Sequence, residues 1–226
     1  MEYLVTMTTR VPAGTPERAV DDVRAREAAH SRELAAQGHL LRLWRPPLRP
    51  GEWRSFGLFA AADPDELERV LASMPLRIWR TDEVTALEPH PNDPVPRPAP
   101  GPPEFLTAFT LVIPDGTPGE VAEDGLAREA VAARELGRQG HLLRLWRVRS
   151  DASDGPGALG GRGALDGRGA LGGFGALGGP GALGLWRAAD LGEMQAIVKA
   201  LPLDAWMTTE ITPLSTHPSD PVLASS

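Results

Sequence analysis

Two glutamates sit where a helix packed on a sheet is expected to be apolar. In the helix predicted from Pro16 to about Gln37, the apolar stripe runs through Ala19, Val20, Val23 and Leu34, and Glu27 falls on the same face. Glu129 stands in the matching place of a second, similar stretch that ends at Leu136. A carboxylate in such a position loses part of its hydration. Burial disfavours the charged form, raises the pKa, and makes the group a usable general base. The alternative is structural, each glutamate pairing with a neighbouring arginine at a sheet edge.

Arg42 and Arg144 lie inside predicted strands and alternate with Leu and Trp. A guanidinium on a helix-covered face is costly unless paired or bound to an anion. It therefore either clamps a substrate carboxylate bidentately, or snorkels to solvent or pairs with Glu27. Trp44, Trp79, Trp146 and Trp206 fit core or interface positions as well as a ligand platform. His39 and His141 follow glycines that end helices, where an imidazole either caps carbonyls or serves as an acid or base. His90 and His217 lie in His-Pro turns after a last strand and read as structural or as part of a contact between subunits. His30 has Ala132 as its counterpart, which excludes it from any shared site. No metal-ligand spacing, phosphate-binding glycine loop or nucleophile elbow is present, and no metal is expected.

These residues recur because the chain is duplicated. GHLLRLWR occurs at Gly38–Arg45 and again at Gly140–Arg147. Each copy reads β-α-β-β-α-β. In the first, strands are expected at Tyr3–Thr8, Leu40–Arg45, Trp53–Ala60 and Trp79–Leu87. Thr15 is expected to cap the first helix and Gly38 to end it; Asp63 caps a shorter one carrying Leu67, Val70 and Leu71. Strict alternation in the second strand would place Leu40, Arg42 and Trp44 on one face and Leu41, Leu43 and Arg45 on the other.

The domain boundaries follow. Residues 1–93 form the first copy, residues 94–103 a proline-rich linker, and residues 104–226 the second copy. The second carries a low-complexity insert at about 151–183, in which Gly-Ala-Leu recurs from Gly157 to Leu183. That insert reads as a flexible loop, with an ordered lid or a leucine-mediated assembly contact as alternatives.

The 226 residues carry a net charge of −7, which argues against nucleic acid as a partner. With no cysteine, disulfides and thiolate metal sites are excluded. The first residues enter a strand at once, and no apolar run approaches the roughly 20 residues needed to span a bilayer. A soluble cytoplasmic protein with no membrane partner is expected.

Each copy resembles muconolactone Δ-isomerase. The resemblance rests on Val11-Pro12, Arg26-Glu27, Gly38, Leu43-Trp44-Arg45, Met74-Pro75-Leu76, Trp79, Glu83-Val84 and His90-Pro91. In the second copy it rests on Arg128-Glu129, Gly140, Leu145-Trp146-Arg147, Leu201-Pro202-Leu203, Trp206, Glu210-Ile211 and His217-Pro218. It implies an α+β fold: two ferredoxin-like (βαββαβ) domains packed as a pseudo-dimeric α/β barrel. It also implies a homo-oligomer and a cofactor-independent isomerase of aromatic catabolism that shifts a double bond in an unsaturated lactone by 1,3-proton transfer. Glu27 and Glu129 would be the catalytic bases. Arg42 and Arg144 would hold the substrate carboxylate, with Trp44, Trp146, Trp53, Trp79 and Trp206 around it. Arg42 and Arg144 stand where the family usually carries histidine. A non-catalytic binding or assembly module, or an isomerase or cyclase of secondary metabolism, remains the alternative.

Overall fold

The computed structural model describes residues 1–96, 99, 101, 103–149 and 181–224. The first repeat contributes β1 (Glu2–Thr9), α1 (Glu17–Ala36), β2 (Leu40–Arg45), β3 (Arg54–Ala60), α2 (Pro64–Ser73) and β4 (Arg80–Pro89). The second contributes β5 (Glu104–Leu111), α3 (Gly119–Gln139), β6 (Leu142–Val148), β7 (Ala182–Arg187), α4 (Leu191–Lys199) and β8 (Met207–Thr216). The fold is α+β with an antiparallel sheet, as the sequence implied. Residues 151–180 of the Gly-Ala-Leu insert lie outside the described residues.

Within each repeat the strand order is that of a ferredoxin-like sheet, and the two sheets continue into one another. β2 pairs with β8 through Trp44↔Thr216, and β4 pairs with β6 through Glu88↔Arg147. The eight strands thereby close in the order β1-β3-β2-β8-β5-β7-β6-β4.

Local sequence explains most element boundaries. Gly38 and Gly140 adopt φ of +79° and +78°, the left-handed conformation that ends α1 and α3 at low steric cost. Asp63 and Asp190 cap α2 and α4 by accepting the amides of Glu66 and Glu193. Thr15 does not cap α1. Its hydroxyl donates to the Pro12 carbonyl at 2.7 Å instead, and Pro16 leads into the helix without a side-chain cap.

The expected alternation in β2 fails for a definite reason. The register with β3 shifts between Leu40 and Arg42, a bulge that advances the strand by one residue; β6 shifts identically between Leu142 and Arg144. Leu40 and Leu43 therefore share a core with Tyr3, Leu34, Phe59 and Leu71 beneath α1 and α2. Trp44 joins the interior between the repeats, with Leu4, Leu58, Leu106, Trp146 and Leu185. The second repeat has its own outer core around Leu142, Trp186, Met194 and Val198. Because the central core draws on both repeats, neither buries its inner sheet face alone.

The same bulge directs Arg42 and Arg144 across the junction. The Arg42 guanidinium donates to both Glu104 oxygens, at 3.1 and 2.7 Å, and to Asp220 at 3.2 Å. Trp44 Nε1 completes the cluster by donating to Glu104 Oε2 at 2.6 Å. Arg144 does the same with Glu2, at 3.2 and 2.6 Å, and with Asp93 at 3.4 Å, while Trp146 Nε1 donates to Glu2. Each repeat supplies the cation to one cluster and both carboxylates to the other. Removing one member of a buried ion cluster leaves uncompensated charge, which typically costs about 3–5 kcal/mol. We expect Arg42→Leu to lose stability of that order in urea unfolding, and Arg42→Leu with Glu104→Gln and Asp220→Asn to recover most of it. A loss close to zero for Arg42→Leu would show that the cluster does not tie the repeats together.

Candidate functional site

Glu27 opens into a cavity of about 370 Å³ between α1 and the outer face of the first sheet. α1 contributes Arg24, Glu27, Ala28 and Ser31; the strands contribute Met7, Thr9, Leu43, Arg45 and Ser55. Trp53, Met74, Leu76 and Arg80 complete the first repeat's share. The wall is finished by His217, Pro218 and Ser219 of the second repeat, so the site belongs to both. The corner is fixed there because His217 N donates to the Leu43 carbonyl at 3.1 Å and Asp220 N to the His217 carbonyl at 2.8 Å.

The Glu27 carboxylate accepts the Leu76 amide at 2.8 Å and Arg80 Nη1 at 3.2 Å. Its pKa is nevertheless raised. Burial outweighs the Leu76 hydrogen bond and the Arg80 charge, both of which pull the other way. Arg80 is a weak counter-ion because Asp82 shares it, with Nε to Oδ1 at 2.6 Å, and both side chains are buried. Nearer the opening, Arg24 stacks over Trp53 at 4.5 Å. Arg45 faces Ser215 in the adjoining strand.

His217 is held neutral. Burial first and the Arg45 charge second lower its pKa to about 4. Its Nδ1 accepts the Ser219 amide at 3.1 Å, so the proton of the neutral ring resides on Nε2. The cavity thus combines a high-pKa carboxylate, cations suited to a carboxylate ligand, and a neutral imidazole N–H donor.

The second repeat holds a matching cavity of about 150 Å³ around Glu129, closed by His90 and Asn92 of the first repeat. Glu129 accepts the Leu203 amide at 3.1 Å, and burial raises its pKa with only that hydrogen bond opposing. Its surroundings are otherwise apolar: Leu111, Leu126, Ala133, Ala182 and Met207 replace Thr9, Arg24, Ser31, Ser55 and Arg80.

Of the residues singled out from sequence, Glu27, Glu129 and Trp53 line these cavities. Arg42, Arg144, Trp44 and Trp146 do not. The two arginines hold internal carboxylates rather than a substrate's, and the tryptophans pack between the repeats. Trp79 and Trp206 flank the strands and line neither cavity. His39 and His141 bond through Nδ1 to the carbonyls of Ala60 and Arg187, a structural role. Sequence reasoning missed Arg24, Arg45 and Arg80, and it took His217 as structural or as a subunit contact rather than as part of a cavity wall. Arg24 carried a legible signal, being one helical turn before Glu27; His217 carried none, because its partner lies in the other repeat.

A buried carboxylate between helix and antiparallel sheet, faced by cations and an N–H donor, is an arrangement chemically suited to proton transfer, set in an α+β protein with the ferredoxin-like strand order. The family model for muconolactone delta-isomerase matches residues 1–93, 104–158 and 163–220. The chain belongs to that family, as a member in which the family sequence is duplicated in tandem. It is 34% identical over 92 residues to muconolactone Delta-isomerase of Cupriavidus pinatubonensis, covering 41% of this chain and 97% of that protein. To muconolactone Delta-isomerase 1 of Acinetobacter lwoffii it is 32% identical, covering 41% and 93%. Over its full length the fold is similar to that of a heme-binding protein from Thermus thermophilus. That match has a TM-score of 0.57 at 12% identity and covers 100% of this chain and 95% of that one.

These pKa shifts set the pH dependence of stability. As pH falls from 6.5 toward about 4, the unfolded chain gains a proton on His217 that the native ring refuses, so stability falls. Glu129 acts in the opposite sense. Its native carboxyl keeps a proton that the unfolded chain releases above pH 4.5, so stability falls as pH rises through that region. We expect His217→Asn to flatten the acid-side loss of melting temperature, and Glu129→Gln to raise the melting temperature at neutral pH. An acid-side profile unchanged by His217→Asn would contradict a neutral buried ring.

Proposed function

We propose that the Glu27 cavity isomerises an unsaturated five-membered lactone bearing a carboxylate, by a cofactor-independent 1,3-proton shift. Glu27 removes the acidic ring proton, breaking a C–H bond. The electron pair delocalises into the lactone carbonyl as a dienolate, and a proton returned further along the ring completes the shift. Arg24 and Arg45 hold the substrate carboxylate near the opening. The Nε2–H of His217 donates to the carbonyl oxygen as it gains charge; a neutral donor suits this role because it stabilises the oxyanion without protonating it outright. The observation that carries the reading is Glu27 itself, a carboxylate whose pKa burial raises although an arginine touches it.

The same reading extends to architecture. Residues 1–93 and 104–226 act as two domains fused into an intramolecular version of a dimeric α/β barrel, each lending a His-Pro corner to the other's cavity. The family match and the crossed lining of both cavities support it.

Incubation with muconolactone in deuterated water, followed by NMR, tests the assignment. The expected result is deuterium uptake and double-bond migration, with Glu27→Gln slowing both by about 10²–10⁴-fold. Glu129→Gln is expected to leave turnover close to that of the parent. Exchange that persists at full rate in Glu27→Gln would remove Glu27 as the base.

A further inference from the structure

The cavities have kept one shape of chemistry and abandoned the other. In the first, Arg24, Arg45 and Arg80 surround the carboxylate. Among the described residues of the second cavity's lining there is no arginine or lysine. Leu126 replaces Arg24, Met207 replaces Arg80, and Arg147, the counterpart of Arg45, points to Glu88 at 3.6 Å instead. His90, like His217, is driven toward the neutral form, by burial first and then by the Arg147 charge. An anionic ligand entering there would lose its hydration and meet Glu129 beside the uncharged His90 and Asn92, with no arginine or lysine in the lining to compensate.

The remaining surface is built for an apolar ring. Phe109 stands edge-on to Trp186, with ring centroids 6.2 Å apart at 72°. The Trp186 indole N–H is already taken by Thr107 Oγ1 at 2.8 Å, which leaves its carbon edge and face for packing. Gly184 is required for that arrangement, since a Cβ there would lie 2.2 Å from Trp186 Nε1. Leu126 is 45% exposed, an apolar side chain where Arg24 stands in the first repeat. A volume of about 150 Å³ remains, and an apolar cavity of about that size accommodates a benzene-sized ring.

We propose that the Glu129 cavity is a second, separate binding site, selective for an uncharged apolar ring compound such as a small lactone or cyclic ketone, whose carbonyl oxygen accepts from the Nε2–H of His90, the Nδ1 of that ring being occupied by the Asn92 amide. The site is independent of whether the Glu27 cavity catalyses isomerisation, because its selectivity rests on its own lining.

The probe is α-angelica lactone, an uncharged unsaturated lactone, compared with the anion muconolactone. The indole N–H resonances of Trp186 and Trp53 report on the two cavities separately. The uncharged lactone is expected to shift Trp186, and Ala133→Phe, which fills the cavity, to weaken its binding by at least about tenfold. Muconolactone is expected to leave Trp186 unmoved in the parent. Because the Trp186 shift is read in the unaltered protein, the proposal stays testable if Ala133→Phe folds poorly, which its melting curve reveals. A Trp186 resonance indifferent to the uncharged lactone would overturn the proposal, as would one shifted equally by muconolactone. Binding of the uncharged lactone that survives Ala133→Phe in a folded protein would do the same. Absence of isomerase activity at Glu27, with these Trp186 results intact, would remove the proposed function and leave this site standing.

Discussion

The crossed ion clusters are the constraint on which the rest of the molecule depends. A guanidinium buried or half-buried without partners is costly, and so is a pair of carboxylates in that position, yet each repeat contains both. Only the other repeat supplies what is missing: Arg42 meets Glu104 and Asp220, and Arg144 meets Glu2 and Asp93. The requirement is reciprocal and specific in geometry, since each guanidinium engages one glutamate with two parallel hydrogen bonds. It accounts for the identity of GHLLRLWR in the two copies better than a shared ligand does. The glycine ends the helix, the bulge turns the arginine toward the junction, and the tryptophan N–H satisfies the same glutamate.

The clusters also place the functional groups. Asp220 lies three residues beyond His217, and its attachment to Arg42 holds the His-Pro corner over the first cavity. Asp93 stands in the same relation to His90 and the second cavity, and also accepts the Leu145 amide at 2.7 Å. A junction that is electrostatic in origin therefore decides which imidazole faces which carboxylate. Of the two His-Pro histidines, Glu27 shares its cavity with His217 and not with His90 of its own repeat.

What the sequence made legible was local. Periodicity located the helices, Gly38, Gly140 and Asp63 marked ends and caps, and the break in the α1 stripe exposed Glu27 as a buried carboxylate. Arg42 was legible as a buried cation, but not its counter-ion. Nothing near position 42 distinguishes a substrate carboxylate from Glu104, which sits in another strand of another repeat. The one-residue bulge at Leu41 was equally hidden, because a strict alternation and a bulged one share the same letters. It was that bulge which separated Arg42 from the cavity and brought Arg45 toward it. The crossing of the His-Pro corners depends on how the two sheets close, a property of the whole chain rather than of any segment.

Fusion explains how the cavities could diverge while the junction did not. In a symmetric dimer of one short chain, both sites carry the same residues, and a change made for one is made for the other. Two repeats in one chain are free of that restriction wherever they do not depend on each other. The clusters do depend on each other, and their Arg, Glu, Asp and Trp are unchanged between repeats. The cavity linings do not, and Arg80 has become Met207 while Asp82 has become Thr209. Divergence still crosses the junction at one point. Glu88, in β4, pairs with Arg147, and the matching place in β8 is Ser215, opposite Arg45. With serine at that place, no β8 carboxylate answers Arg45 as Glu88 answers Arg147, and the Glu27 cavity is the more positive for it. Glu88 in the first repeat draws Arg147 off, and the described lining of the Glu129 cavity holds no arginine or lysine. A single difference between the two last strands thus pushes the two sites in opposite electrostatic directions.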